Sequence, residues 1–314
     1  MFTMALASGY TLRAPNSSDL TAVTNVLIAC DMEITGETDV TEEEIEHYWS
    51  TPGFTLETDA VVAVDEDGNV AGYEEVQSSG EGLYPVDGYV HPNHRGRDIG
   101  AAMLGWAESR VREMRGDRSE AARLRANIYA SETDAAALFL AEGYSHVRRN
   151  YRMQIELDQP TPEPVWPNGI IVRSFRPGQD NHVAYEVMRE TFEDVWGHVS
   201  RPFDDWSAEY IGKPGFDPDL WLLVWEGDTP VAAALGSRRA EGGWIRGLGV
   251  RRPWRGQGIA LALLHHAFNV FRDREFPFVG LGVDSQSLTG ADRLYVRAGM
   301  RAIEEYDMFE KVLE

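Results

Sequence analysis

The sequence predicts an α/β protein built of two tandem units, each a mixed, largely antiparallel sheet flanked by helices. Three observations lead there. The chain has 314 residues, which is two domains at the usual ~150 residues each. Three stretches recur at one offset: Arg13 in YTLRAP and Arg173 in IIVRSF, Val61–Val64 and Trp221–Val224, and Arg95 and Arg255 are each 160 positions apart, the signature of a duplication. Between the halves lies DQPTPEPVWPNG, whose four prolines predict an extended, semi-rigid connector. The expected division is therefore a first domain over residues 1–157, a linker over 158–169 and a second domain over 170–314.

Each half repeats the same order of elements. A short strand (11–13; 170–173) leads into a helical stretch (19–31; 180–191) and then an irregular region of acidic and aromatic residues. A hairpin follows, turning at Asp67-Gly68 in the first half and near Gly227-Asp228 in the second, where glycine supplies the positive φ that tight hairpin turns need. A further strand ends at Val90 or Val250. An amphipathic helix then starts near Ile99 or Ile259, with Ile259, Leu263, Ala267 and Phe271 on one face. Another strand (124–129; 278–283), a short helix ending at Gly143 or Gly299 and a final strand complete each half.

Composition narrows the function. With 29 Lys+Arg against 51 Asp+Glu, the formal net charge is -22. That charge argues against nucleic acid as a partner, because neutralising phosphates requires basic patches, and it suits a cationic or amine-bearing partner. A single cysteine, Cys30, leaves no disulfide framework and no cysteine zinc site, so a reducing cytoplasm is expected and no metal is. The strongest apolar run, Leu220–Trp225, is far too short to span a bilayer. The oligomeric state is left open.

The chemistry concentrates in the second half. LGVRRPWRGQGIALALL passes from strand to helix through Gly256 and Gly258, which let backbone N–H groups approach a ligand at the positive end of a helix. Such a turn suits phosphate or pyrophosphate. It is not a P-loop, because Gly258 is followed by Ile259-Ala260 rather than Lys-Ser/Thr, and a dinucleotide fingerprint fails for want of its third glycine.

The spacing Arg255, Gly258, Ala260 after the strand Leu248-Gly249-Val250 resembles the acetyl-coenzyme A motif of the GNAT acetyltransferases. Ala291, Leu294, Tyr295 and Gly299 are similar to that family's second signature. The resemblance implies two tandem GNAT-like domains, a layout similar to mycothiol synthase. It also implies acetyl-coenzyme A as co-substrate, held at Leu248, Gly249 and Val250 along the strand edge and at Arg255, Gly256, Gln257, Gly258, Ile259 and Ala260 in the turn. Tyr295 would protonate the departing thiolate, since a phenol with a reference pKa of about 10 holds its proton at neutral pH. The acceptor expected is a primary amine of a small molecule. A non-catalytic acetyl-coenzyme A sensor and an enzyme acetylating a protein amine are the alternatives. Where mycothiol synthases carry a glutamate before the pyrophosphate turn, this chain has Trp244. The general base is therefore sought in RETFEDVWGHVSRPFDDW, with Glu193 and His198 foremost among its carboxylates and aromatics.

In the first half the same turn reads HRGRDIGAAML, with Asp98 in place of the middle glycine and Phe139 in place of the tyrosine. A carboxylate about 4 Å from a phosphate costs up to ~4 kcal/mol at an effective dielectric of 20. Asp98 is expected instead to cap its own helix through its side chain. Two losses predict a structural first half and a catalytic second one.

Overall fold

The computed structural model describes the chain except residues 1–2, 7–8, 39, 119, 199, 213–215, 240–241 and 288–289. It divides into two compact units, residues 1–148 with 306–314, and residues 149–305. In the first unit the order is β1 (Thr3–Ala5), β2 (Thr11–Arg13), α1 (Leu20–Ile34), α2 (Glu42–Trp49), α3 (Leu56–Asp59), β3 (Ala60–Val64), β4 (Val70–Val76), β5 (Leu83–Val90), α4 (Ile99–Arg115), β6 (Ala122–Tyr129) and α5 (Thr133–Ala141). β7 (Ser145–Glu156) follows, and its residues from Arg149 onward belong to the second unit. That unit continues with β8 (Ile170–Ser174), α6 (Asn181–Phe192), α7 (Phe203–Tyr210), β9 (Trp221–Glu226), β10 (Thr229–Arg238), β11 (Gly243–Val250), α8 (Ile259–Asp273), β12 (Phe278–Asp284) and α9 (Ala291–Arg297). The last strand is β13 (Arg301–Leu313).

Both sheets are mixed and largely antiparallel. The first runs β1-β2-β3-β4-β5-β6 and the second β8-β9-β10-β11-β12, with one parallel pair in each, β5 with β6 and β11 with β12. The local causes are legible. Every residue of β3, AVVAV, is buried, as expected of a strand covered on both faces. α1 buries Val23, Val26, Leu27 and Cys30 at helical spacing. The region expected to be irregular after α1 instead forms α2. There Thr41 and Glu44 make a reciprocal capping box that satisfies two otherwise orphaned amides.

The boundaries differ from those expected. Asn150–Glu156 of β7 pair with Asp284–Phe278 of β12, so this strand completes the second sheet and the division falls after Arg148, not after residue 157. Tyr306–Leu313 pair with Tyr129–Ala122 of β6, so the first sheet is closed by the end of the chain. Backbone pairing outweighs sequence order in deciding which unit a strand stabilises. The proline stretch is not a free connector. Thr161 donates to the Asn269 side chain at 2.6 Å and Trp166 lies edge-on to His266, which straps the stretch along α8. No helix among the described residues is long and apolar enough to cross a membrane.

Candidate active site

The second unit opens its sheet where the turn begins. β11 pairs with β10 from Gly243 to Val250, but with β12 only at Gly243 and Trp244. Among the described residues, Ile245–Val250 therefore face β12's side with no ladder partner, leaving backbone donors and acceptors for an extended ligand. Leu248, Gly249 and Val250 all lie on this free edge. The opposite face is closed tightly: a Cβ on Gly249 would stand 2.1 Å from Thr191 Oγ1, so only glycine lets α6 pack there.

The turn that follows has the conformation the sequence called for. Gly256 (φ 76°) and Gly258 (φ 87°) are left-handed, and a Cβ on either would meet nothing within 4 Å. Gly258 stands at the N-cap of α8 and offers no side-chain cap, so the helix's first N–H groups face that open space. The other turn residues shape it. Arg255 donates from Nε to the Val250 carbonyl at 2.9 Å and from Nη1 to Asp194 at 2.7 Å, latching the turn to the end of α6. Gln257 donates to the Pro253 carbonyl at 3.2 Å, Ile259 is 1% exposed in the core, and Ala260 is half-buried against it. Arg255 and Gln257 thus spend side-chain donors on the protein itself, and the backbone is what the turn presents.

Tyr295, on α9, is buried in the same core cluster as Val250, Ile259 and Val283. Burial pushes its phenol up to about 12, so it holds its proton throughout the neutral range. The base candidates are differently placed. Glu193, at the C-cap of α6, is exposed and ion-pairs with Arg189 at 3.3 Å and Arg252 at 3.9 Å. His198 is exposed, its ring 5.8 Å from that of Phe192. Glu190 pairs with Arg251 at 2.9 Å, and Asp194 is held well below the usual carboxylate range by hydrogen bonds from Arg252 and Arg255. The carboxylates at the end of α6 are thus matched by arginines. Trp244 carries Arg239 at 3.6 Å and Arg152 at 5.5 Å from its ring centroid, a cationic surround where a glutamate was sought.

The first unit keeps the backbone and changes the side chains. β5 pairs with β6 only from Leu83 to Pro85 and then parts from it, and Arg95 latches its turn through the Val90 carbonyl and Glu33, as Arg255 does through Val250 and Asp194. Asp98 does not cap α4 with its side chain, contrary to expectation. It sits at the N-cap position in the left-handed region (φ 61°, ψ 10°), whereas a capping side chain reaches the helix amides from an extended N-cap residue. The turn therefore keeps the glycine conformation at a cost of about 1 kcal/mol, modest because aspartate tolerates this region better than most residues. Phe139 is a core residue, stacked on Phe309 at 5.3 Å and edge-on to Tyr144 at 5.1 Å.

Sequence reasoning missed the first unit's cavity, about 1270 Å³, which lies where β5 leaves β6. Glu75 on β4 and Asp87 on β5 are direct cross-strand partners and both line it. The Tyr73 hydroxyl donates to Glu75 at 2.5 Å and itself accepts from Trp49 Nε1 at 2.9 Å; the Tyr89 hydroxyl donates to Asp87 at 3.1 Å. Burial, with the neighbouring Asp87 charge, pushes the half-buried Glu75 up to about 7, while Asp87 itself is exposed at the splayed edge of β5. The visible signal was the acid pair in GYEEV and the acid in PVDGY, charges inside strands that hydrophobic patterning would have left apolar. At the repeat offset the second unit has Ala234, Leu235 and Gly247 in place of Glu74, Glu75 and Asp87, and Leu235 and Gly247 are paired in its sheet just as Glu75 and Asp87 are.

Comparison with known proteins agrees with this geometry. The acetyltransferase (GNAT) family model matches twice, at residues 23–143 and 182–300. A mycothiol acetyltransferase of Thermomonospora curvata is 31% identical over 238 residues, covering 74% of this chain and 76% of its own. One of Kineococcus radiotolerans is also 31% identical, covering 74% and 75%. A solved GCN5-related N-acetyltransferase from Sphaerobacter thermophilus superposes with a TM-score of 0.86 at 38% identity, covering 98% of this chain and 97% of that one. A tandem GNAT protein from the clavulanic acid biosynthesis pathway shares the fold, with a TM-score of 0.70 at 14% identity over 96% of this chain and 98% of its own. Two free strand edges, each running into a turn with two left-handed residues ahead of a helix, thus have their counterpart in two family matches, and the chain belongs to the GNAT acetyltransferases as a tandem-domain N-acetyltransferase.

Proposed function

We propose that the chain transfers the acetyl group of acetyl-coenzyme A to a primary amine of a small molecule, with the reaction carried by the second unit. The observation that carries this reading is the coincidence, in one unit, of a free strand edge, an open left-handed glycine turn at an uncapped helix start, and a buried, protonated Tyr295. In this reading the amides from Gly256 to Ala260 hold the pyrophosphate and the edge Leu248–Val250 receives the amide-bearing arm. The neutral amine attacks the acetyl carbonyl, the carbon–sulfur bond breaks, and the thiolate takes the proton held on the Tyr295 oxygen while the amine's own proton passes to a base or to water. Glu193 and His198 are the proposed bases, Glu193 after release from its arginine partners. The similarity to mycothiol acetyltransferases supports a small-molecule acceptor, and Trp244 with its flanking arginines supports one different in shape from theirs. A reducing cytoplasm suits the free, buried Cys30.

The test is thiol release from acetyl-coenzyme A across a panel of small amines. Tyr295→Phe is expected to lower turnover by roughly 10²-fold with cofactor affinity retained, the usual size of a lost general acid. Near-wild-type turnover in Tyr295→Phe would remove the acid role. Saturable binding of the cofactor with no turnover on any amine in the panel would overturn the acceptor class.

A further inference from the structure

Trp244 stands on the last rung at which β11 is paired with β12, opposite Gly280. A Cβ on Gly280 would meet the indole at 2.8 Å, so the ring lies over the face of β12 that Gly280 presents. Gly282 presents the same face two residues on, and a Cβ there would meet nothing within 4 Å. Its direct cross-strand partner on β7 is Arg152, and opposed residues of an antiparallel pair share a face. The guanidinium of Arg239 lies 3.6 Å and that of Arg152 5.5 Å from the centroid of the indole. An aromatic wall and two guanidiniums thus adjoin an open floor at Gly282.

The overall charge of -22 invites a cationic acceptor, but this surface has the opposite sign. Arg246, two residues beyond Trp244, is the extra residue of a bulge: Gly236 pairs with Ile245 and Leu235 with Gly247, which skips it. Its guanidinium takes the Glu209 carboxylate at 3.0 Å, and Arg201 takes the same carboxylate, so one acid serves two arginines. Glu304 accepts from Arg152 Nη1 at 3.3 Å, while Arg152 Nε is buried with no acceptor among the described residues. A buried donor left in this way is costly, and a ligand oxygen would satisfy it.

The fold does not require these arginines. At the repeat offset Arg239, Trp244 and Arg246 correspond to Ser79, Tyr84 and Val86. The strand that closes the first sheet sets Asp307, not an arginine, opposite Ile128, the counterpart of Gly282. What the arginines add is recognition. A guanidinium presents a planar fork of donors that matches a carboxylate, and stacking on an indole holds that fork in place. The same charges disfavour an ammonium nearby, which favours an acceptor amine in the neutral form that attacks.

We propose that the acceptor is an amino acid with its two functional groups at opposite ends of a chain, its carboxylate held by Arg152 and Arg239 beside Trp244. Its amine then reaches the free edge at Leu248, four residues and about 13 Å of strand from Trp244, part of which the arginine side chains span. This deepens the reading of the second unit as the acetylating one and rests on it. Arg152 and Arg239 are specificity-determining residues, since they hold the end of the acceptor that does not react.

The experiment is steady-state thiol release from acetyl-coenzyme A with acceptors in matched sets: ω-amino acids of four to eight carbons, their carboxamides, and the α,ω-diamines of the same length. At each length that is turned over, the amino acid is expected to exceed both others at least ten-fold in kcat/KM. Arg152→Gln and Arg239→Gln are each expected to raise KM for the amino acid about ten-fold, with its kcat within a few-fold of wild type and the constants for the carboxamide unchanged. Arg239 is exposed, so its variant carries the test even where Arg152→Gln folds poorly. Equal or better turnover of the carboxamides or diamines, or a preference undiminished in Arg239→Gln, would overturn the proposal and leave acetyl transfer to small amines standing. Turnover on none of the matched sets but on other amines would do the same. No turnover on any amine would overturn the underlying reading as well.

Discussion

The two turns that open α4 and α8 have the same backbone and different contents. Residue 98 and residue 258 are both left-handed N-cap residues without a side-chain cap, and each turn is latched by an arginine to a carbonyl at the end of the preceding strand and to an acid at the end of the preceding helical stretch. Yet one holds aspartate and the other glycine. Around them the chemistry is divided: the second unit has the open turn and the phenol, the first has the acid-lined cavity and a phenylalanine stacked into the core. The backbone geometry of the turn is the same whichever residue stands at it. A substitution at the turn therefore reports on ligand chemistry, not on folding.

The largest expected effects break the comparison by making one unit like the other. Gly258→Asp writes the first unit's residue into the second. Since aspartate holds that conformation at position 98, the variant should fold. The carboxylate beside a pyrophosphate is expected to weaken acetyl-coenzyme A by two to three orders of magnitude, on the order of the ~4 kcal/mol limit for unit charges about 4 Å apart. Calorimetry with the intact cofactor measures it, and affinity within a few-fold of wild type would show that the ligand does not sit on this turn. Of similar size is Phe309→Ala. Phe309 is 2% exposed, comes from the strand that closes the first sheet, and stacks on Phe139. Its loss is expected to destabilise the first unit by roughly 3–5 kcal/mol. Denaturant melts should then show that transition moving to lower denaturant.

How far the sequence reached follows from the same division. Hairpins, the duplication and both turns were legible because they rest on local rules: glycine where φ is positive, and alternation where one face of a strand is buried. The exchange of final strands was not, because β7 and β13 carry no mark of which sheet they join. Their partners β12 and β6 lie far away in the sequence, and only the assembled sheet decides. Asp98 was misread for a related reason. An acid before a helix is the usual mark of a capping side chain, but the turn, not the residue, sets the dihedrals. The acids at 75 and 87 were visible as letters and silent as chemistry, because only the assembled sheet makes them cross-strand neighbours beside a cavity. Tyr295 was found because its signature is contiguous; Trp244 was read only as a missing glutamate, and of the arginines on its ring Arg239 comes from the adjoining hairpin and Arg152 from the distant strand β7.

A smaller effect sharpens the comparison through pH. The Glu75 carboxyl, held up to about 7 in the folded state against an ordinary value near 4.5, binds its proton more tightly folded than unfolded. Its favourable contribution is therefore fully present below pH ~4.5 and disappears as pH rises through 7, where the folded protein must carry a buried charge. Glu75→Gln removes the titration while still accepting from the Tyr73 hydroxyl. The variant is expected to melt a few degrees above wild type at pH 8.5, for a gain on the order of 1–2 kcal/mol, and to match it near pH 4.5. Leu235→Gln, at the corresponding position of the second unit, should lower stability at both pH values, because there the fold has an apolar site to lose. An increment for Glu75→Gln that is the same at both pH values would mean that Glu75 titrates as an ordinary surface acid.

The smallest effect is Asp98→Gly, which gives the first unit the second unit's turn residue. Glycine relieves left-handed strain of about 1 kcal/mol and adds unfolded-chain entropy of nearly the same size, so the net change in stability is expected to stay within roughly 0.5 kcal/mol. Its consequence lies in binding. With the carboxylate gone, the turn at Gly96–Gly100 presents free amides beside a strand edge that is already open, and a Cβ at Gly96 would meet nothing within 4 Å. Phe139 still offers no proton. The variant is therefore expected to gain affinity for acetyl-coenzyme A in the first unit, read by calorimetry in a Gly258→Asp background where the second turn is blocked, and to gain no turnover. Restored binding without chemistry would separate the two roles proposed for the second unit, pyrophosphate capture by the backbone and proton delivery by the phenol. Turnover recovered along with binding would instead show that Phe139 is no obstacle and that the aspartate alone keeps the first unit inactive.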